Sequence, residues 1–221
     1  MKRPEGEGAL PKTSEFYRGC RSIVRWFFDL FYELDVVGLD RIPLRGGVIF
    51  ASNHASFLDP PAIGCRIDRQ LHYFARNTLW RQPLGWILDR LEAIPVKPNE
   101  SDVQALRGIF KALSSGGSIA LFPEGTRSFD GSMLSPKGGA GMLACRNQAV
   151  VVPTRIFGSF EAYSRNDKLP RLFQSIRVVY GEPLHPQDYD PGKGHPERYL
   201  EASKRIMQSI EKLSIPTIRI V

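Results

Sequence analysis

The spacing of apolar residues divides the chain into short apolar runs and longer helical patterns. The short runs are rich in β-branched and aromatic residues, which is typical of buried strands. We predict strands at residues 48–52, 71–75, 118–122, 150–157 and 176–181. Between them, apolar residues recur every three or four positions, which predicts helices starting at residue 60 and over 78–91, 102–115 and 196–213. This alternation predicts an α/β fold, a single domain with a central mixed sheet flanked by helices.

The first helical pattern, over residues 14–34, is unusually dense in aromatic residues. Its charged residues follow one another at steps of three or four and share one face, whereas the remaining circumference is broad and apolar. A helix of this kind suits the surface of an anionic bilayer, although the same aromatic residues would also pack it on the domain core. We therefore expect a flexible tail at 1–13, an amphipathic, membrane-associating helix at 14–35 and the α/β domain at 36–215.

Composition and charge narrow the possible partners. The chain of 221 residues is 42% hydrophobic and 24% charged, as folded proteins are, and its net charge of +7 suits anionic partners such as lipid or a phosphorylated substrate. The positive charge is spread out and no nucleic-acid motif occurs, so we expect no nucleic-acid partner. The N-terminus lacks a secretory signal, and no run reaches the roughly 18 apolar residues that cross a bilayer. Any membrane contact is therefore expected at the surface.

His54 and Asp59 are the candidates for acid–base chemistry. They lie in the sequence ASNHASFLDP, residues 51–60, between a predicted strand and a predicted helix. A carboxylate bonded to one imidazole nitrogen fixes the tautomer and raises the basicity of the other nitrogen, which can then take a proton from a hydroxyl. Asp59 directly precedes two prolines, so we also expect it to cap the helix that begins at residue 60. Alternatively, Asp59 is only this N-cap and His54 an ordinary loop histidine. The spacing of the two residues leaves both interpretations open.

The sequence offers no competing nucleophile or metal site. The three cysteines form no CxxC, and neither a GxSxG elbow nor an HExxH motif occurs. The remaining histidines are scattered along the chain. A base without an enzyme nucleophile indicates direct attack by a substrate hydroxyl or by water.

A second polar segment, LFPEGTRS at residues 121–128, follows the third predicted strand. Gly125 allows a ligand to approach the backbone closely, and Thr126 adds a hydroxyl. Arg127 presents a planar fork that matches phosphate. Glu124 can accept hydrogen bonds from a polyol or hold the arginine. The same residues also suit a simple tight turn with an exposed arginine.

Together these two segments resemble the glycerolipid acyltransferase family, the family of 1-acylglycerol-3-phosphate acyltransferases. Residues 53–59, NHASFLD, match the NHxSxxD form of its HX4D motif, and residues 122–128, FPEGTRS, match its FPEGTRS motif without a mismatch. KGGA at 137–140 and VVPT at 151–154 resemble further blocks of the family. The first belongs to a basic, glycine-rich stretch at 137–141, which we expect to be flexible. The resemblance extends over roughly residues 36–183.

One residue departs from the family pattern. In the second block Lys97 stands where an arginine is usual. Lysine keeps the positive charge and loses the bidentate fork of arginine, which leaves the identity of the acceptor open.

The resemblance implies roles for these residues. His54 would be the general base, and Asp59 would orient it. The acceptor's glycerol phosphate would be bound by Glu124, Gly125, Thr126, Arg127 and Lys97. No metal and no redox cofactor is implied.

The resemblance also implies a reaction and a place in the cell. A fatty acyl group would pass from acyl-CoA or an acyl carrier protein to 1-acyl-sn-glycerol 3-phosphate, a lysophospholipid, giving phosphatidic acid. Family members work at the cytoplasmic face of the cell membrane as peripheral or monotopic proteins, so anionic bilayer lipid is an expected partner. Alternatives are transfer to another lysolipid or to glycerol 3-phosphate, hydrolysis of thioesters, and non-catalytic lipid binding.

Overall fold

A six-stranded mixed sheet forms the centre of the computed structural model, which describes residues 13–96 and 103–215, and a two-stranded sheet of β4 and β5 lies apart from it. The strands are β1 (Glu33–Val37), β2 (Val48–Ser52), β3 (Leu71–His72), β4 (Phe74–Arg76), β5 (Ile94–Val96), β6 (Ser118–Leu121), β7 (Val150–Phe157) and β8 (Ser175–Tyr180). The α-helices are α1 (Glu15–Phe31), α2 (Asp59–Gly64), α3 (Leu84–Arg90), α4 (Val103–Ser114), α5 (Gly138–Asn147), α6 (Ser159–Tyr163), α7 (Pro186–Tyr189) and α8 (Arg198–Glu211). The predicted α/β class with a central mixed sheet is confirmed.

The order of the strands brings the two polar segments to one edge of the sheet. The order is β1-β8-β7-β2-β6-β3, and β2 pairs in parallel with both β6 and β7. Ala51, near the end of β2, lies opposite Leu121 at the end of β6. Because neighbouring parallel strands end at the same edge, the segment that follows β2 and the segment that follows β6 emerge side by side.

The central strand β2 explains why the domain has helices on both faces. All five of its residues are buried, and alternate side chains point to opposite sides of the sheet. Phe50 belongs to the core that includes Phe28 of α1 and Ile63 of α2. Ile49 belongs to the core on the other face, with Ile206 of α8. A strand covered on both faces has a continuous apolar sequence, as this one does.

Helix α1 packs on the domain and leads directly into the sheet. The hydroxyl of Ser14 caps its first turn by accepting a hydrogen bond from the Tyr17 amide at 3.1 Å, and Phe28 is fully buried. The predicted boundary between helix and domain, at residue 35, falls inside β1, which pairs with β8. This short edge strand was missed because its sequence, ELDVV, has no continuous apolar run. The tail predicted at 1–13 lies outside the described residues, apart from Thr13.

Further predicted segments differ from the structure. The strand predicted at 71–75 is divided into β3 and β4, which belong to different sheets. The helix predicted at 78–91 is shortened to α3, because Pro83 lacks the amide hydrogen that a helix interior requires. The stretch at 137–141, predicted to be flexible, forms the start of helix α5 instead. There Gly141 allows close packing on α8, since a Cβ atom at this position would lie 2.1 Å from the carbonyl oxygen of Tyr199. Among the described residues, no helix has the length and hydrophobicity required to cross a membrane.

Candidate active site

The segments that follow β2 and β6 are tied together by hydrogen bonds around His54. The Ser128 amide donates to the His54 carbonyl oxygen at 2.8 Å. The carboxylate of Glu124 accepts from the His54 amide at 2.7 Å through one oxygen, and from the Leu134 amide at 2.7 Å through the other. The backbone on which the histidine is mounted is therefore fixed by the neighbouring segment.

Asp59 orients the imidazole of His54. Its Oδ2 atom lies 2.9 Å from Nδ1 of His54 and accepts hydrogen bonds from the amides of Ala55 and Ser56, each at 2.7 Å. The side chain of Asp59 is fully buried, whereas that of His54 is 17% exposed. The imidazole stacks on the ring of Phe122 at 3.9 Å between centroids and 15° between planes. With Nδ1 bonded to the carboxylate, Nε2 is the ring nitrogen left for a substrate proton.

The expectation that Asp59 caps the following helix is wrong. Asp59 is itself the first residue of α2, and Leu58 occupies the N-cap position without a side-chain hydrogen bond. An N-cap residue bonds the amide of the second or third helical residue. If Asp59 were the cap, the second would be Pro61, which has no amide hydrogen, and the third would be Ala62, whose amide donates to the Leu58 carbonyl oxygen at 3.0 Å. The carboxylate turns back to the loop instead.

Glu124 forms hydrogen bonds with backbone amides, whereas the sequence suggested bonds to a polyol or to the arginine. It is 1% exposed, and both carboxylate oxygens already accept hydrogen bonds from backbone amides. Burial raises the pKa of Glu124, while the amides of Leu134 and His54 oppose this shift. Contact between Glu124 and an acceptor stays a prediction. The observed hydrogen bonds of Glu124 join the loop of His54 to the loop of Leu134.

The turn after β6 has an exposed backbone at Gly125 and Thr126 and a positive charge at Arg127. Gly125 has a φ of 68°, which favours glycine, and both it and Thr126 are exposed. The guanidinium carbon of Arg127 lies 3.4 Å from the centre of the Phe57 ring, a cation–π contact that links the turn to the loop after β2. The turn therefore lies beside the histidine. Lys97 lies outside the described residues.

Two further basic residues join this turn. A Cβ atom at Gly125 would lie 3.2 Å from Cδ and 3.6 Å from Nζ of Lys137, so this lysine lies directly against the turn. Arg165 donates from Nη1 to the Arg127 carbonyl oxygen at 3.1 Å and stacks over the Phe129 ring at 3.8 Å. The glycine-rich block marked the position of Lys137, whereas nothing in the sequence marked Arg165, which comes 38 residues after Arg127.

The chain matches a known family over the region that contains both segments. A family model described as Acyltransferase matches residues 33–157, more than half of the chain. The chain therefore belongs to the acyltransferase family, as the resemblance of the two motifs indicated. The matched region runs from β1 to the end of β7 and includes both loops of the site.

Individual relatives are named for one activity. The 1-acyl-sn-glycerol-3-phosphate acyltransferase of Bacillus subtilis is 27% identical over 203 residues, 89% of this chain and 96% of that protein. The chloroplastic enzyme of the same name from Arabidopsis thaliana is 28% identical over 159 residues, 70% of this chain. The chain spans only 44% of that plant protein. The crystal structure of the 1-acyl-sn-glycerophosphate acyltransferase from Thermotoga maritima has the same fold, with a TM-score of 0.68, 24% identity and coverage of 91% of this chain and 80% of that one.

Proposed function

We propose that the chain transfers a fatty acyl group from a thioester of coenzyme A or acyl carrier protein to the free hydroxyl of 1-acyl-sn-glycerol 3-phosphate, giving phosphatidic acid. The observation that carries this proposal is the His54–Asp59 pair beside a basic turn. The pair supplies a base for the hydroxyl, and the turn supplies cations for the phosphate of the same acceptor. The names of the relatives support this choice of acceptor.

The proposed reaction is a direct transfer. Nε2 of His54 takes the proton of the acceptor hydroxyl as its oxygen attacks the thioester carbonyl carbon. The new carbon–oxygen bond forms, the carbon–sulfur bond breaks, and the imidazolium returns the proton to the thiolate that leaves. Asp59 stabilises the imidazolium between these steps, and a base of this kind contributes roughly 10² to 10⁴ in rate. A thioester is already activated, so the reaction requires no covalent enzyme intermediate, metal or redox cofactor.

The phosphate of the acceptor is held by the turn after β6. Arg127 offers its planar fork, and Lys137 adds a positive charge against the same turn. Gly125 and Thr126 provide an exposed backbone and a hydroxyl, and Lys97 assists. We assign Glu124 a positioning role, because its two hydrogen bonds hold the backbone of the base and the loop that follows the turn.

The protein works at the cytoplasmic face of the cell membrane, as a peripheral protein on anionic lipid. Ile23, Trp26 and Leu30 support this part of the proposal, since they form an exposed apolar stripe on α1 at helical spacing. Deleting the helix would remove Phe28 from the core, so a surface substitution is the better test. Trp26→Ser should shift the protein from anionic vesicles to the supernatant, and unchanged partitioning would contradict the anchoring role.

The activity is tested by thiol release from oleoyl-CoA in the presence of lysophosphatidic acid, followed with a thiol reagent. We expect His54→Ala to abolish release while the circular dichroism spectrum stays intact. Arg127→Ala should raise the KM for lysophosphatidic acid more than it lowers kcat. Equal release without any acceptor would identify a thioesterase, and a preference for glycerol 3-phosphate in an acceptor panel would replace the proposed acceptor.

A further inference from the structure

The segment between α6 and β8 exposes large apolar side chains, and its first residues contact the candidate active site. In residues 165–173, Leu169 is 77% exposed and Phe173 is 73% exposed, and Leu172 is exposed as well. Isolated exposed apolar residues are ordinary on protein surfaces, but three within five positions form a patch. Because these three side chains are exposed, packing in the core does not explain why they are apolar.

The backbone of Phe173 strengthens this point. Its φ is 61°, in the left-handed region, which is a rare conformation for a bulky residue and a favourable one for glycine or asparagine. The Phe173 amide donates to the Phe31 carbonyl oxygen at 2.7 Å, which fixes the turn. The hydrogen bond of the Phe173 amide stabilises the turn. The exposed phenyl ring of the same residue adds little to the stability of the fold.

The segment bridges the candidate active site and α1. At its first end, Arg165 donates to the Arg127 carbonyl oxygen, and Asn166 donates to the Phe129 carbonyl oxygen at 3.1 Å. At its other end, the Phe173 amide donates a hydrogen bond to the carbonyl oxygen of Phe31, the last residue of α1. The ring of that residue, Phe31, meets the exposed ring of Trp26 edge-on at 6.5 Å. The patch therefore continues the exposed apolar stripe of α1 toward the basic turn.

The charge of the segment favours one kind of partner. Lys168 and Arg171 are exposed, and with Arg165 they outnumber the one acidic residue, Asp167. Asp167 accepts from the hydroxyl and the amide of Ser164 and from Arg171 at 2.8 Å, so its charge is used within the segment. Apolar side chains beside exposed cations match the interface of an anionic bilayer, where rings and aliphatic chains enter and ammonium groups meet phosphates.

We propose that residues 165–173 form a second membrane contact, which inserts Leu169, Leu172 and Phe173 into the interface of an anionic bilayer next to α1. The two adjacent contacts would together hold the His54 cleft at the surface from which a lipid acceptor enters. This inference goes beyond the proposed reaction, since it requires only that the chain meets anionic lipid.

The chain offers a matched control for the test. Leu44 is 75% exposed, almost the same as Leu169, but it precedes β2, whereas His54 follows β2. The five residues of that strand separate the two places by about 16 Å. Leu169→Ser and Leu44→Ser are therefore the same change at opposite edges of the sheet.

The experiment measures sedimentation of the full-length protein with sucrose-loaded vesicles of phosphatidylglycerol and phosphatidylcholine. We expect Leu169→Ser to weaken partitioning about tenfold, the loss that follows from keeping one leucine side chain in water, and Leu44→Ser to leave it unchanged. Phe173→Asn should weaken partitioning to a similar extent while the unfolding temperature stays equal or rises. Lys168→Glu should reduce binding to anionic vesicles more than to pure phosphatidylcholine.

Three results would overturn the proposal. One is wild-type partitioning of both Leu169→Ser and Phe173→Asn. Another is a change of molecular mass in light scattering with unchanged vesicle binding, which would make the patch an interface between protein chains. The third is an equal effect of Lys168→Glu on both kinds of vesicle. Since His54→Ala should bind vesicles normally, loss of the membrane contact and failure of the proposed reaction give different results.

Discussion

Asp59 has two roles in the candidate site: it orients the imidazole of His54, and it holds the loop through the amides of Ala55 and Ser56. Replacing Asp59 by asparagine tests both roles. The substitution keeps the size and shape of the side chain and removes the negative charge. Its Oδ2 atom accepts three hydrogen bonds, from His54 Nδ1 and from the amides of Ala55 and Ser56. Its other oxygen, Oδ1, is buried and has no hydrogen-bond partner among the described residues.

The structure gives the magnitude of the loss of stability. Hydrogen bonds to a charged acceptor contribute about 1.5–3 kcal/mol, and neutral ones about 0.5–1.5 kcal/mol, so the two backbone bonds together lose about 2 kcal/mol. The asparagine amide also places a donor where Oδ1 lacked a partner, which costs about 1 kcal/mol or more. A total of about 3 kcal/mol corresponds to a decrease of roughly 6–12 °C in the unfolding temperature of a chain of this size.

The rate should fall as well, because the neutral amide does not stabilise the imidazolium. The loss of kcat expected from a disabled base is roughly 10²- to 10⁴-fold. His54→Ala is the matched control for stability. The histidine is partly exposed and forms one side-chain hydrogen bond and one ring contact, so its removal should lower stability by no more than about 1 kcal/mol.

The two variants are compared by thermal unfolding and by thiol release from oleoyl-CoA. We expect both variants to lose turnover, and only Asp59→Asn to have a markedly lower unfolding temperature. Turnover close to wild type in Asp59→Asn would refute the orienting role of the carboxylate. An equal decrease in unfolding temperature for His54→Ala would refute the division of roles between the two residues.

Three more substitutions test other parts of the structure. Glu124→Gln turns an amide group toward one of two backbone donors, so urea unfolding should show a loss of about 1–3 kcal/mol. Arg69→Met leaves the carbonyl oxygens of Pro43 and Gly116 without their buried donor, and we expect a loss of about 3 kcal/mol in the same assay. The Arg198 guanidinium holds the pKa of Asp190 well below its usual range, so this pair stabilises the fold above the unfolded pKa of about 4 and loses its effect as the pH falls. Asp190→Asn should therefore be less stable than wild type at pH 7, and the difference should shrink below pH 4.

Each of these tests has a contrary outcome. Glu124→Gln with wild-type stability would show that its two hydrogen bonds do not hold the loops together. Arg69→Lys is the control for charge, and full stability in Arg69→Met would mean that the carbonyl oxygens find other donors. For Asp190→Asn, a difference from wild type that grows toward low pH would contradict the direction of the pKa shift.

The positions of the two motifs could be predicted from the sequence, because parallel strands bring their carboxyl ends to one edge. The pairing of His54 with Asp59 was one of two open interpretations, and the backbone decided between them. Pro61 offers a cap no amide hydrogen, whereas the loop offers the carboxylate of Asp59 the amides of Ala55 and Ser56. Arg165 could not be predicted, since its contact with the site joins residues 38 positions apart and follows from no local pattern.

The loop of His54 and Asp59 shows why the spacing of such a pair is constrained more strictly than the residues within it. Two of the three hydrogen bonds to Asp59 come from main-chain amides, which every residue except proline carries. Exchanging the side chain at position 55 for another small one leaves those donors in place. Adding or removing one residue would move both donors and the imidazole away from the carboxylate together. Insertions and deletions between positions 54 and 59 should therefore be far more damaging than substitutions there.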